Sequence, residues 1–327
     1  MGKSFYDIQE KNIRKTKILI FLFIFFATFF GFLIDFFYAG FPDYSKIPFF
    51  TIFAFLLSSI NSYISYNFGD KILLKTIGVR KLNLNDLKEK MLLNVVEEMK
   101  IASGLPMPKV YILDTDIPNA FATGKNPENS SIVVTKGLLN LLNREELQGV
   151  IGHEMAHIRN RDILVMTVAA TLVGVILLLS DLANRFLRYQ FFTDSRTSKR
   201  RETRSRIGLK GGTITLILLI LLLILSILGP LFARLVFFSI SRSREYLADA
   251  SSAELTRNPL SLAKALEKIA SLQNPFQWKM KGVSHMCIVN PLKSKFGEME
   301  NFFADLMSTH PPIEKRIKVL KEMAGVF

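Results

Sequence analysis

The chain has a single cysteine, Cys287, so no intramolecular disulfide can form. That absence suits a soluble part kept in a reducing compartment. Histidine is scarce as well, with four in 327 residues. A pair of histidines at metal-ligand spacing is therefore hard to assign to chance. Acidic residues are outnumbered, 28 Asp and Glu against 42 Lys and Arg, which leaves a formal net charge of +14. No nucleic-acid-binding motif accompanies that charge, and the basic residues gather beside apolar runs. Attraction to anionic lipid headgroups is the simpler account, and no nucleic-acid partner is expected. The first apolar run, Ile18 to Ile34, lacks a clean small-residue cleavage site and is long for a signal-peptide core. It reads as an uncleaved anchor.

Long apolar runs are what the chain has in quantity. Ile18 to Ile34 is interrupted only by Thr28, while Ile163 to Leu179 and Ile214 to Ala233 carry no charge. Each is about long enough to cross a hydrocarbon core near 30 Å thick. Ile47 to Ile64 is weaker, because Ser58, Ser59, Asn61 and Ser62 crowd its end. The expected fold class is a mainly α membrane protein. It would have about four transmembrane helices and an α+β domain with a small sheet. The expected division is 1–66 with two spans, 67–162 with a first non-spanning part, 163–240 with two further spans, and 241–327 with a second non-spanning part. Lys3, Lys11, Arg14, Lys15 and Lys17 precede the first span, which puts the N-terminus and the non-spanning parts in the cytoplasm of a multi-pass plasma (inner) membrane protein. The basic loop 184–212 then falls outside and breaks the same rule. Either the third and fourth segments form a hairpin that does not fully cross, or the protein is inverted, which the basic N-terminus opposes.

The segment carrying chemistry is His153-Glu154-Met155-Ala156-His157 after Gly152. The spacing of Leu147, Val150, Ile151, Met155 and Ile158 predicts a helix over Arg144 to Ile158. Residues four apart on a helix lie about 40° apart around the axis, so both imidazoles reach one ion. Neutral imidazole suits zinc, and Glu154 beside it suits a general base. A third ligand is needed. Glu245 and Asp249 share a helix face, so Glu245 can complete a His₂Glu set and Asp249 can fix the tautomer of a ligand imidazole. Taken alone, that pair also reads as a solvated acidic face.

The combination resembles a known family. Gly-His-Glu-Met-Ala-His, then about a hundred residues on Ser241-Arg-Ser-Arg-Glu-Tyr-Leu-Ala-Asp-Ala, is similar to the HtpX group of membrane-bound zinc metallopeptidases. The wider family includes the Ste24-type CAAX endopeptidases. Asn119-Ala-Phe-Ala-Thr-Gly with Ser131-Ile-Val-Val-Thr, and Ser308-Thr-His-Pro-Pro…Arg316-Ile, resemble two further family elements. The resemblance runs from about residue 70 to the C-terminus. It implies that the non-spanning parts form a zincin-like metalloprotease domain, with one Zn²⁺ per chain on His153, His157 and Glu245 and with Glu154 as catalytic base. It also makes His310 and Arg316 candidates to stabilise the oxyanion. A peptide is expected to add to a strand edge, either Ser131–Thr135 or Asn119-Ala-Phe-Ala, with Asn119 as a substrate contact. The implied role is quality control of unfolded or misfolded membrane proteins. Two rivals are a Ste24-like prenyl-protein peptidase and a membrane scaffold with a silent metal site. Intact Glu154 speaks against the second.

Overall fold

In this computed structural model, residues 5–36, 47–194, 223–224, 228–229, 231, 243–272 and 311–326 are described. The basic loop beyond 194, His285, Cys287 and His310 lie outside them, as does the apolar run 214–233 apart from the few residues just named. In chain order the elements are α1 (Phe5–Ile34), α2 (Phe49–Ile77), β1 (Arg80–Lys81), α3 (Leu87–Ser103), β2 (Lys109–Leu113), β3 (Ala120–Gly124) and β4 (Ser130–Thr135). Then follow α4 (Lys136–Leu141), α5 (Arg144–Arg159), α6 (Asp162–Asp194), α7 (Ser243–Thr256), α8 (Pro259–Ser271) and α9 (Ile313–Met323). The described chain is thus mostly helical with one small mixed sheet.

Among the described residues, α1, α2 and α6 each hold a stretch long and apolar enough to cross a membrane. The chain divides into two units. One takes Ile18–Ile64 and Leu172–Val236. Many of the large apolar side chains of α1 and α2 are exposed, Phe21 at 66% and Phe25 at 61%, which suits lipid as the surrounding medium. Inside it, the buried Asp35 caps α2, accepting from Phe50 N at 3.2 Å, Thr51 N at 2.7 Å and Thr51 Oγ1 at 2.6 Å. These are N–H groups of a first helical turn, which have no partner in their own helix. Gly31 sits where a Cβ would come within 2.5 Å of Phe50 O, so the two backbones approach closely there.

The other unit holds residues up to Lys17, Ser65–Thr171 and the chain from Phe237 on. Its sheet runs in the order β1-β2-β4-β3, with β2 and β4 parallel and the outer pairs antiparallel. Every residue of β3 and β4 is buried. The reason is that both faces are covered. Ile132, Val134, Ala120 and Ala122 join Leu92, Val96, Ile151, Met155 and Leu262 in one core, whereas Val133 and Phe121 pack with Leu73, Met166 and Ala170. A doubly covered strand needs an unbroken apolar run, as Ser131-Ile-Val-Val-Thr provides.

Helix α3 begins at Leu87, because Asp86 Oδ1 accepts from Lys88 N at 2.8 Å and caps it there. One expectation for substrate binding is corrected. Strand β4 has both edges paired, to β2 and to β3. A peptide cannot add to Ser131–Thr135, and the outer strand on that side is β3, which has no second strand beside it among the described residues.

Candidate metal centre

Helix α5 starts in a capping box. Asn143 Oδ1 accepts from Glu146 N at 2.9 Å, and Glu146 Oε2 accepts from Asn143 N at 2.9 Å. From there to Ile158 nearly the whole helix is buried, His153, Glu154 and His157 included. Helices from later in the chain close over the side of α5 that bears the histidines. They come close because α5 carries glycine at 149 and 152. A Cβ on Gly149 would lie 2.6 Å from Leu262 N, and one on Gly152 would lie 3.0 Å from Ser252 Oγ. Ser252 Oγ also donates to Gly149 O at 2.6 Å. This contact sets α7 against α5 and brings Glu245 and Asp249 to the histidines.

His153, His157 and Glu245 gather with one ligand atom each, all within 4.8 Å of one another. His153 Nε2 is 3.2 Å from His157 Nε2. Glu245 Oε2 lies 3.7 Å from His153 Nε2, and Oε1 lies 3.6 Å from His157 Nε2. Each ring has a carboxylate behind it. His153 Nδ1 is 2.9 Å from Asp249 Oδ1, off the direction of the ring N–H, and His157 Nδ1 is 3.1 Å from Asp162 Oδ2. Such partners keep the proton on Nδ1 and leave both Nε2 lone pairs facing inward. Two lone pairs at 3.2 Å beside a carboxylate repel unless a cation lies among them. The donor set, two nitrogens and one carboxylate oxygen, therefore fits a divalent metal ion.

The titration of the site shows the same demand for positive charge. Burial opposes protonation of His157, yet the hydrogen bond to Asp162 and the field of Glu245 outweigh it and raise its pKa to about 9. His153 goes down, chiefly by burial. Glu154 is pushed up to about 7 by burial, against the pull of His157 and of a backbone hydrogen bond from Ala122 on the edge strand. Burial would raise Asp249, but Arg316 overrides it and holds the carboxyl below its ordinary value.

Arg316, 1% exposed, comes from α9. It donates from Nε to Asp249 Oδ2 at 2.8 Å and from Nη2 to Asp249 Oδ1 at 2.6 Å, and its Nη1 is 3.6 Å from Glu245 Oε2. Asn119 is buried at the start of β3, where its Oδ1 accepts from Ala120 N at 3.0 Å and its carbonyl accepts from Thr135 Oγ1. The sequence reading missed Gly149, Gly152 and Asp162. The glycines carried a weak signal, small residues three apart on a helix that had to be approached closely. Asp162 carried none beyond heading an apolar run.

An H-E-x-x-H helix whose histidines meet a glutamate from a second helix is the constellation of a metallopeptidase. The sequence bears this out. Residues 86–324 match Peptidase family M48, and the chain belongs to that family. It is 44% identical over 325 residues to the "Protease HtpX homolog" of Caldanaerobacter subterraneus subsp. tengcongensis, covering 98% of each chain. The protein of the same description from Dictyoglomus turgidum is 43% identical, with 98% of this chain and 95% of that one covered. The one from Pyrococcus abyssi is 42% identical, over 84% and 86%. The crystal structure of S. mikatae Ste24p aligns with 96% of this chain and 67% of that one, at 17% identity and a TM-score of 0.45. The chain is a membrane-bound metalloendopeptidase.

Proposed function

We propose that the chain hydrolyses peptide bonds with one zinc ion held by His153 Nε2, His157 Nε2 and a carboxylate oxygen of Glu245. The observation that carries this reading is the pair of imidazole Nε2 atoms 3.2 Å apart, facing Glu245. Zinc, when bound, acidifies water and polarises a scissile carbonyl. Glu154 takes the proton of the attacking water and passes it to the leaving amide nitrogen. Asp249 holds His153 in the binding tautomer. Arg316 keeps Asp249 and Glu245 in place and sets a fixed positive charge near the developing oxyanion, where His310 is the second donor. The peptide adds along β3, with Asn119 contacting it at the strand's start.

Around that chemistry we place four spans, with 214–233 as the fourth, and the division 1–66, 67–162, 163–240 and 241–327. The catalytic parts face the cytoplasm at the plasma membrane, as the basic N-terminus supports. The substrates are unfolded or misfolded membrane proteins, and the role is their quality control. A site tied to helices that lie in the bilayer supports this choice.

The test compares the full chain with Glu154→Gln in detergent, zinc added, on an unfolded protein substrate. Activity should fall by about 10²–10⁴-fold while metal content stays the same. A chelator should abolish wild-type cleavage, and zinc should restore it. Equal activity in both proteins would overturn the mechanism.

A further inference from the structure

One fully buried carboxylate touches the site but has no part in the reaction proposed above. Asp162 opens α6, and its Oδ2 faces His157 Nδ1 at 3.1 Å. Its Oδ1 accepts from Asn12 Nδ2 at 2.6 Å and from Arg244 Nη1 at 3.2 Å. Asn12 lies on α1, ahead of that helix's apolar stretch, and is itself 2% exposed. Arg244 precedes the ligand Glu245 on α7.

The backbone is bent to make this contact. Five residues along an unbroken helix would carry Asp162 about 140° around the axis from His157. Instead the chain turns after α5, and Arg161 takes φ 57°, in the left-handed region. That conformation is unfavourable for a residue with a Cβ. The start of α1 secures the turn. Gln9 Nε2 donates to Arg159 O at 2.9 Å, and Asn12 Nδ2 donates to Asn160 O at 2.9 Å. These carbonyls close a helix and have no partner within it. The result mirrors the far side of the site. Asp249 with Arg316 stands behind His153, and Asp162 with Arg244 stands behind His157.

We infer that Asp162 is the positioning residue of His157, and that Asn12 and Arg244 hold it there, so that the polar start of α1 is a working part of the metal centre. This rests on the reading that His157 is a metal ligand. An acceptor at Nδ1 fixes the ring's tautomer and orientation and makes Nε2 a better donor to the metal. The two sides of Asp162 have opposite neighbours, an imidazole on Oδ2 and two N–H donors on Oδ1. An ionised carboxylate accepts on both sides. An asparagine cannot, because its NH₂ must face either the ring or the donors.

The experiment uses the full chain in detergent, stripped of metal and titrated with zinc against a chelator of known affinity. A second aliquot is loaded with cobalt(II) for its visible spectrum. Asp162→Asn should weaken zinc by about 10–100-fold and alter the cobalt bands. Asn12→Ala leaves Arg244 on Asp162, so it should cost less, at least about threefold, and move the bands in the same direction. Thermal melting checks that each variant is folded. Should Asp162→Asn not fold, Asn12→Ala decides. His157→Ala tests the underlying reading: wild-type zinc affinity in that variant would sink the metal site itself. Loss of zinc in His157→Ala, together with wild-type affinity and spectra in the folded Asp162→Asn and Asn12→Ala, would overturn the present inference alone.

Discussion

The apolar stretch of α1 and the metal helix α5 are built inside out with respect to each other. In α1, large apolar side chains face outward, and only 17% of its most apolar window is buried. In α5, glutamate and two histidines lie within the core, at 1–4% exposure. The first arrangement is stable only where the surroundings are themselves apolar. The second is stable only where every charge meets a partner, because an unpaired buried charge costs several kcal/mol. One helix therefore reports its environment and the other reports its chemistry. The comparison can be broken at either end.

The largest stability effect is expected at the charged end. Arg316→Ala removes the guanidinium from Asp249 and leaves its carboxylate buried with only the His153 ring beside it and Glu245 near by. The loss should be about 3–5 kcal/mol, read as a lower melting temperature in detergent, together with weaker metal binding. A surface arginine treated the same way would move the melt little. At the lipid end, Phe25→Lys puts a charge on an outward-facing position of α1. Near the bilayer centre it should cost about 2.5–3.5 kcal/mol of insertion, measured as protein lost from the membrane fraction. Unchanged insertion would mean that this face does not meet lipid.

Smaller effects sharpen the comparison within α5. Gly149→Ala forces a methyl against the backbone of α8, where Leu262 N would be 2.6 Å away, and should cost about 1–3 kcal/mol. Gly152→Ala meets the Ser252 hydroxyl at 3.0 Å, which can rotate away, so the cost should be less. Reversal of that order in thermal melts would count against the packing described. The smallest effect lies at the surface. Arg80 bridges Glu89 and Asp114 and lowers both carboxyl pKa values by hydrogen bonding. Carboxyls lowered in the folded state add stability above their unfolded pKa, and that stability is lost as pH falls through the folded values. Arg80→Gln should thus cost up to about 1 kcal/mol at pH 7, since Arg80 is partly solvated. Wild type and variant should converge in acid. A gap that persists once both carboxyls are protonated in the folded state would assign the effect to packing.

How much of this was readable beforehand can be traced residue by residue. The helix over His153–His157 was legible because its periodicity and its capping residues are local. The apolar runs were legible because bilayer thickness acts on each segment separately. The strand order β1-β2-β4-β3 was not, because register is decided by what covers each face of the sheet. Nor did anything local mark Gly149 as a contact point, since its role exists only once α8 lies against it.

Local spacing is enough to specify the class of chemistry. Two imidazoles at helical spacing present the same two donors wherever the helix lies, with Glu154 beside them, and an acidic pair about a hundred residues on supplies the third. Tertiary structure alone decided how those donors are held. Asp249 and Arg316 come from separate helices, and Asp162 reaches His157 through a left-handed turn at Arg161 that α1 secures. Such contacts join residues up to 150 positions apart. No local rule of spacing reaches that far, because it is the burial of the apolar faces that brings these residues together.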